Sequence, residues 1–367
     1  MARPTPVAPA AILEDLDTGQ VLFEKASHQR RPIASLTKIM TAILVLERAG
    51  LGERTSVSAT AVAQSGDDPP LAAGETLSVR ALLYAMLLPS SNDAAVALAE
   101  HVAGTSAAFV ALMNRRAAAM GLRDTHFVSP SGFDSSGYSS AADVAALTRT
   151  ALRDPTFAEV VRTYVHRLPP LDGRPRTVEN RNLLLWYYPG AVGVKTGYLP
   201  AAGHCLVAAA DRDGTRLVTV VLGHPDTAFG DGALLLDYGY RGFTRTTVIR
   251  IRQPVGVVGA GGTSVRVVAG GELSALVALR PPGHVEAKLV PRAHLPPDLR
   301  PGDRVGRVQA VVDGRVLGAV PAVVWTPSAA SGPSAVPLPV AEPSWEGVLR
   351  PLGIVAVVLR EMVGAFL

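Results

Sequence analysis

The stretch IASLTKIMTA, residues 33–42, sets a lysine inside an otherwise apolar helical pattern. Ile33, Leu36, Ile39, Met40, Ile43 and Leu46 recur at the three- and four-residue spacing of a helix that buries one face. Ser35 and Lys38 lie three apart, so on a helix their side chains share a side about one turn apart. Two readings are open for this pair. Ser35 caps the helix while Lys38 snorkels to water, or Ser35 is a nucleophile whose proton is taken by a lysine kept neutral through burial and neighbouring positive charge. The rest of the chain has to choose between them.

The chain has 367 residues, enough for two cores plus appendages. It is 48% hydrophobic with few aromatic residues, so alanine, valine and leucine do most of the packing. The formal net charge of +4 is spread along the chain rather than gathered into runs, which argues against nucleic acid as a partner. Cys205 is the only cysteine, so no internal disulfide forms; in GHCLVAAA it reads as a buried strand residue. The N-terminal MARPTPVAPAAIL lacks the charged start and apolar stretch of a signal peptide, and no uninterrupted apolar run approaches the ~20 residues of a membrane-spanning helix.

Outward from residues 33–42, AAILEDLDTGQVLFEKA predicts a β-hairpin around Asp17-Thr18-Gly19, and Gly50 closes the helix that carries Ser35 and Lys38. Residues 77–121 are predicted mostly helical, with Gly104 and Gly121 as C-terminal caps. Ser140 and Asp143 form a capping box for a helix reaching about Arg153. GAVGVKTG, GHCLVAAA and RLVTVVLG follow as three strands, the last two joined at DRDG, and DGALLLDYGYRGF is a helix packed back on them. Helices between two separated groups of strands make an α+β domain over residues 1–243. Residues 244–326 read as a small all-β domain with an Asp-Gly hairpin turn in GRVQAVVDGRVLGAVPAVV. VVGAGGTSV lacks the glycine spacing and following helix of a dinucleotide loop and reads as a tight turn. Residues 327–344 form a Pro/Ala/Ser linker. Residues 345–367 return to a helical pattern with a broad apolar face, that of an amphipathic helix lying in a membrane surface.

Two further motifs bear on Lys38. PSSND supplies Ser90 and Asn92 just before a helix, and VGVKTG supplies Lys195, Thr196 and Gly197 at the end of an apolar strand. Each alone is ordinary. In this order, S-x-x-K, S-x-N and K-T-G form the triplet of penicillin-binding proteins and class A β-lactamases, and together they select the nucleophile reading. The residue types suit acyl transfer: Ser35 attacks, Lys38 takes its proton, Ser90 passes it onward, and Asn92 both donates and accepts. Lys195 and Thr196 offer a cation and a hydroxyl to a free carboxylate, and the backbone N–H groups of Ser35 and Tyr198 offer an oxyanion hole.

On these motifs, and on ILEDLDTGQVLFEKA, ASLTKIMTA, LLPSSNDAA, NRNLLLW, the run from GVKTGYLP to TVVLG, and LLLDYGY, residues 10 to about 326 resemble the D-alanyl-D-alanine carboxypeptidases. These are serine-type penicillin-binding proteins of low molecular mass. The resemblance implies a serine β-lactamase or transpeptidase-like catalytic domain of α+β type with a small all-β C-terminal domain. It implies no cofactor and no metal. It also implies an exported bacterial enzyme at the outer face of the cytoplasmic membrane, reaching that surface through residues 345–367. The expected substrate is a peptidoglycan stem peptide ending in D-Ala-D-Ala, with β-lactam antibiotics as inhibitors. Relatives commonly carry an arginine just before the helix ending in DYG, thought to help hold the substrate carboxylate. Ala228 stands there in this chain, and Arg181 of NRNLLLW is expected to take more of that duty.

The sequence also speaks to three rival functions. A class A β-lactamase uses a glutamate well after the second motif, but the chain has none between Glu100 and Glu159. A catalytically weak cell-wall binding or scaffold protein of the same fold is disfavoured by the intact Ser35, Lys38 and Lys195. A metallopeptidase is disfavoured because the eight histidines show no zinc-ligand spacing.

Overall fold

The computed structural model describes residues 2–64, 71–260, 262–279 and 282–325. The chain divides into two compact units, residues 1–244 and residues from 245 onward. The linker and amphipathic helix expected over 327–344 and 345–367 lie outside the described residues.

The first unit is built on a five-stranded antiparallel sheet. In chain order its strands are β1 (Ala10–Asp15), β2 (Val21–Lys25), β3 (Ala191–Leu199), β4 (Gly203–Arg212) and β5 (Thr215–His224), and in space they run β2-β1-β5-β4-β3. β1 is buried at all six positions, and β4 and β5 each carry six consecutive buried residues. Such continuous burial means that both faces are covered. Alternate residues serve opposite layers. Ile12, Val207, Ala209, Val218 and Val220 join the core of the helical layer, which includes α1 (Lys38–Arg48), α2 (Val79–Leu87), α3 (Asn92–Ala103), α4 (Ser106–Ala119) and α5 (Ala141–Ala151). Leu13 and Leu217 face the other way, onto Gly239 of α6 (Phe229–Gly242). The α+β expectation is met, with β3, which carries the K-T-G motif, at the sheet edge.

Two local expectations change. Ser35 and Lys38 do not share one α-helix. Ser35 lies in a 3₁₀ turn over Ala34–Thr37, entered through Ala34 at φ 48°, and Lys38 is the first residue of α1. The tighter turn brings side chains at i and i+3 nearly into line, closer than an α-helix does. The Ser140–Asp143 capping box is half formed. Ser140 accepts from the Asp143 N–H, but the Asp143 carboxylate accepts instead from Asp124 N and Thr125 Oγ1, both at 2.8 Å.

A hairpin of Val165–Leu171 and Arg174–Glu179 has no counterpart among the predicted elements. Asp172 and Gly173 both take positive φ at its turn, as do Asp213-Gly214 and Asp313-Gly314 in the two hairpins that were predicted. The second unit holds a five-stranded antiparallel sheet in the order Pro254–Ala260, Thr263–Ala269, Arg315–Val324, Arg304–Val312, Val285–Pro291. Val267, Val305, Val308 and Ala322 lie in its core. Strands Pro254–Ala260 and Thr263–Ala269 pair directly as an antiparallel hairpin.

Arg176 ties the extra hairpin to the turn at 72–75 through a paired contact with Glu75, and both side chains are 8% exposed. Removing one partner leaves the other charge buried and unpaired. Glu75→Gln is expected to lower the unfolding free energy by about 3 kcal/mol, read from urea denaturation; an unchanged midpoint would contradict the role given to this pair.

Candidate active site

Lys38 is completely buried, and its ammonium reaches three acceptors: Ser35 Oγ at 2.8 Å, Asn92 Oδ1 at 2.7 Å and the carbonyl of Ser131 at 2.9 Å. Each comes from a different piece of chain. Ser35 arrives on the 3₁₀ turn, Asn92 is the first residue of α3, and Ser131 lies in the loop 129–133. Two of these acceptors are amide carbonyl oxygens with no proton to give, whereas the Ser35 hydroxyl can donate. A neutral Lys38 therefore keeps its two N–H groups on Asn92 and Ser131 and turns its lone pair to Ser35. The neutral form is within reach because burial, then the charges of Lys195 and Arg181, push the Lys38 pKa well below the ordinary lysine value, with Asp93 acting against them.

The loop 129–133 is docked by more than the lysine. Thr41 Oγ1 donates to the Pro130 carbonyl at 2.6 Å. Gly132 takes φ 72°, and a Cβ there would stand 2.1 Å from the Ala34 carbonyl oxygen, so only glycine lets the loop lie against the nucleophile turn. Sequence reading missed Ser131 because it contributes a main-chain carbonyl; the glycine in SPSGF, residues 129–133, was the available signal.

The edge strand β3 runs past Ser35. A Cβ on Gly197 would lie 3.0 Å from Ser35 N, so the K-T-G glycine is the point where strand and turn meet backbone to backbone. A cleft of about 490 Å³ opens between them. Ser35, Ser90, Asn92, Arg181, Thr196, Gly197 and Tyr198, seven of the nine predicted site residues, all line it, and Lys38 lies directly behind Ser35. Ser90 holds φ 75°, the left-handed region. Arg181 is braced on both sides: buried Asn180 donates to the carbonyls of Val161 and Thr163, Asn182 N donates to Asn180 Oδ1, and Arg181 N bonds the Leu88 carbonyl. The NRN pattern is thus two structural amides framing one cation.

Lys195 is placed differently from its expected position. It is 1% exposed, does not line the cleft, and donates to the Thr196 carbonyl at 2.8 Å. That carbonyl captures the ammonium below the opening, so Lys195 acts on the cleft and on Lys38 through its field. Burial, then Arg181, lower its pKa to about 7. Asp93, also missed, is 1% exposed and accepts from Leu71 N and Ala94 N. Among the described residues no cluster of three metal-ligating side chains occurs.

A helical layer against an antiparallel sheet, with a serine–lysine pair at the helix start and K-T-G on the facing edge strand, is the arrangement of the serine penicillin-binding and DD-peptidase class. A family model described as D-alanyl-D-alanine carboxypeptidase matches residues 1–226. The chain is 34% identical over 259 residues to the D-alanyl-D-alanine carboxypeptidase DacF of Bacillus subtilis (strain 168), covering 68% of this chain and 67% of that one. The crystal structure of DacD from Francisella tularensis superposes with a TM-score of 0.71 at 28% identity, covering 89% of this chain and 95% of that one. The Streptomyces K15 DD-transpeptidase superposes with a TM-score of 0.62 at 33% identity, covering 66% of this chain and 100% of that one. The chain belongs to the D-alanyl-D-alanine carboxypeptidase family of serine peptidases.

An amine with a depressed folded pKa holds fewer protons folded than unfolded between about pH 7 and the unfolded value of 10.5, so its burden on stability falls as the pH rises through that window. Lys195→Met removes the burden. The stability advantage of the variant over wild type is expected to be largest near neutrality and to shrink toward pH 10, by on the order of 1 kcal/mol per pH unit. Urea unfolding of both proteins across this range measures it, and a difference that does not change with pH would refute the buried cation.

Proposed function

We propose that this enzyme removes the terminal D-alanine from peptidoglycan stem peptides ending in D-Ala-D-Ala, through an acyl-enzyme on Ser35. The single observation that carries the reading is the buried Lys38 amine 2.8 Å from Ser35 Oγ, with carbonyl acceptors on its other two sides. Neutral Lys38 takes the Ser35 proton as Oγ attacks the carbonyl carbon of the penultimate D-alanine. The oxyanion is received by the backbone N–H groups of Ser35 and Tyr198, where strand and turn approach at Gly197. The proton passes through Ser90 to the leaving amine of D-alanine, and the C–N bond breaks. Water then attacks the ester and returns the proton to Ser35. The Asn92 amide can donate to the substrate while its oxygen holds Lys38. Thr196 and Arg181 face the cleft for the terminal carboxylate, with the Lys195 charge beneath.

A β-lactam presents the same acyl carbon, and its leaving group stays tethered after ring opening. Such inhibitors therefore acylate Ser35 and leave slowly. The β-lactamase alternative gains nothing from Glu159, which bonds Tyr84 and does not line the cleft. The substrate puts the enzyme outside the cytoplasmic membrane. Attachment through residues 345–367 rests on the sequence pattern, and flotation with liposomes tests it: the full chain should bind and a chain ending at Pro343 should not, while equal binding would remove that role.

Benzylpenicillin is expected to add its full mass to the wild type and nothing to Ser35→Ala, read by intact-mass spectrometry. Lys38→Ala should slow that acylation by about a hundredfold or more while keeping the native circular dichroism. Undiminished labelling of either variant would exclude the assignment.

A further inference from the structure

Among the described residues that line the cleft, only Arg181 and His204 bear or can acquire positive charge. Lys195 is buried below with its ammonium on the Thr196 carbonyl, and the rim residue Ala228 offers only a methyl group. His204 is the second residue of β4 and is paired in register with Tyr198 on the edge strand and with His224 on β5. Residues paired directly across a sheet share a face, so the three rings form one row that starts at the substrate strand. The Tyr198 and His204 ring centroids are 4.4 Å apart.

His224 is committed to structure. Its Nδ1 accepts from Asp226 N and Thr227 N, both at 3.1 Å, which leaves the ring proton on Nε2, facing Asp231 Oδ2 at 3.8 Å. That ring folds the segment bearing Thr227 and Ala228 back onto the cleft. His204 has no such bonds among those described and stands between this anchored ring and the opening.

We infer that His204, in its protonated form, receives the terminal carboxylate of the peptide together with Arg181 and is a specificity-determining residue of the cleft. The inference rests on the reading of this cleft as the D-Ala-D-Ala site. Burial, then the neighbouring His224, hold the pKa of His204 below the ordinary histidine value, and Asp226 acts against them. The other groups facing the row are Tyr198, Asp231 behind His224, and Arg181 across the cleft, while Lys195, its pKa lowered to about 7 by burial and then by Arg181, titrates beneath it. In the empty enzyme His204 is therefore neutral at neutral pH. A bound carboxylate, itself ionised above about pH 4, supplies the negative partner that makes protonation favourable. Peptide binding then draws a proton from solution and tightens as the pH falls.

Calorimetric titration of an N-acylated D-Ala-D-Ala peptide and of its C-terminal amide into the Ser35→Ala protein tests this without turnover. The measurement is made at about pH 5.5 and about pH 8, on either side of the ordinary histidine value. The free acid is expected to bind about tenfold more tightly at the lower pH, with net proton uptake, while the amide shows neither effect. His204→Gln should lose most of the gain, keeping only the part that Lys195 beneath the cleft supplies, and His204→Arg should bind the acid more tightly than His204→Gln at both pH values. A gain that is undiminished in His204→Gln, that is shared by the amide, or that is absent from the parent protein would overturn the inference. Penicillin labelling of Ser35 in the otherwise wild-type chain reports separately on the acyl-enzyme, so failure of that chemistry and failure of this recognition give different results.

Discussion

A lysine ammonium with no exposure to water is the constraint around which the first unit is arranged. Removing such a charge from solvent costs several kcal/mol unless it is bonded or neutralised. Here both remedies apply. Three oxygens surround Lys38 Nζ, and each one fixes a different segment: the 3₁₀ turn through Ser35, the start of α3 through Asn92, and the loop 129–133 through Ser131. The catalytic geometry is therefore also the local packing solution. Gly132 and Gly197 serve the same end, each permitting a backbone to approach the nucleophile turn more closely than a side chain would allow.

The second cation gives this arrangement its chemistry. Lys195 and Arg181 do not touch Lys38 in the described hydrogen bonds, yet their charges add to burial in disfavouring its protonated form. A general base is most useful when its free amine is populated at working pH. Two buried lysines and an arginine gathered in one volume are a poor way to stabilise a fold and an effective way to hold an amine neutral. The braces on this group are correspondingly strong: Asn180 and Asn182 fix the Arg181 backbone, and the Thr196 carbonyl fixes Lys195.

Local signals in the sequence carried much of the fold and of the site. Hydrophobic periodicity placed the helices, Asp-Gly pairs placed two hairpins, and three short motifs in order marked Ser35, Lys38, Asn92 and the edge strand that the fold gathers at one opening. What escaped was of three kinds. The hairpin over 165–179 was missed although Asp172-Gly173 is the same turn signal, because its strands are largely exposed and carry prolines and arginines rather than an apolar alternation. The contribution of Ser131 is a carbonyl, which any residue supplies, so no residue type advertises it. The orientation of Lys195 depends on which oxygen wins its ammonium, and that is decided by tertiary proximity. The register that sets His204 beside Tyr198 is visible only once the strands are paired.

The placement of β3 at the sheet edge has a consequence for the protein as a solute. An edge strand presents unpaired amides that invite a strand from another molecule. The turn bearing Ser35 stands against this edge at Gly197, backbone to backbone. It covers the edge at that point, where a strand from a neighbouring molecule would have to pair. The approach that sets the reactive distance thus also shields the most adhesive line of the molecule, and a change that opened the turn would cost solubility along with chemistry.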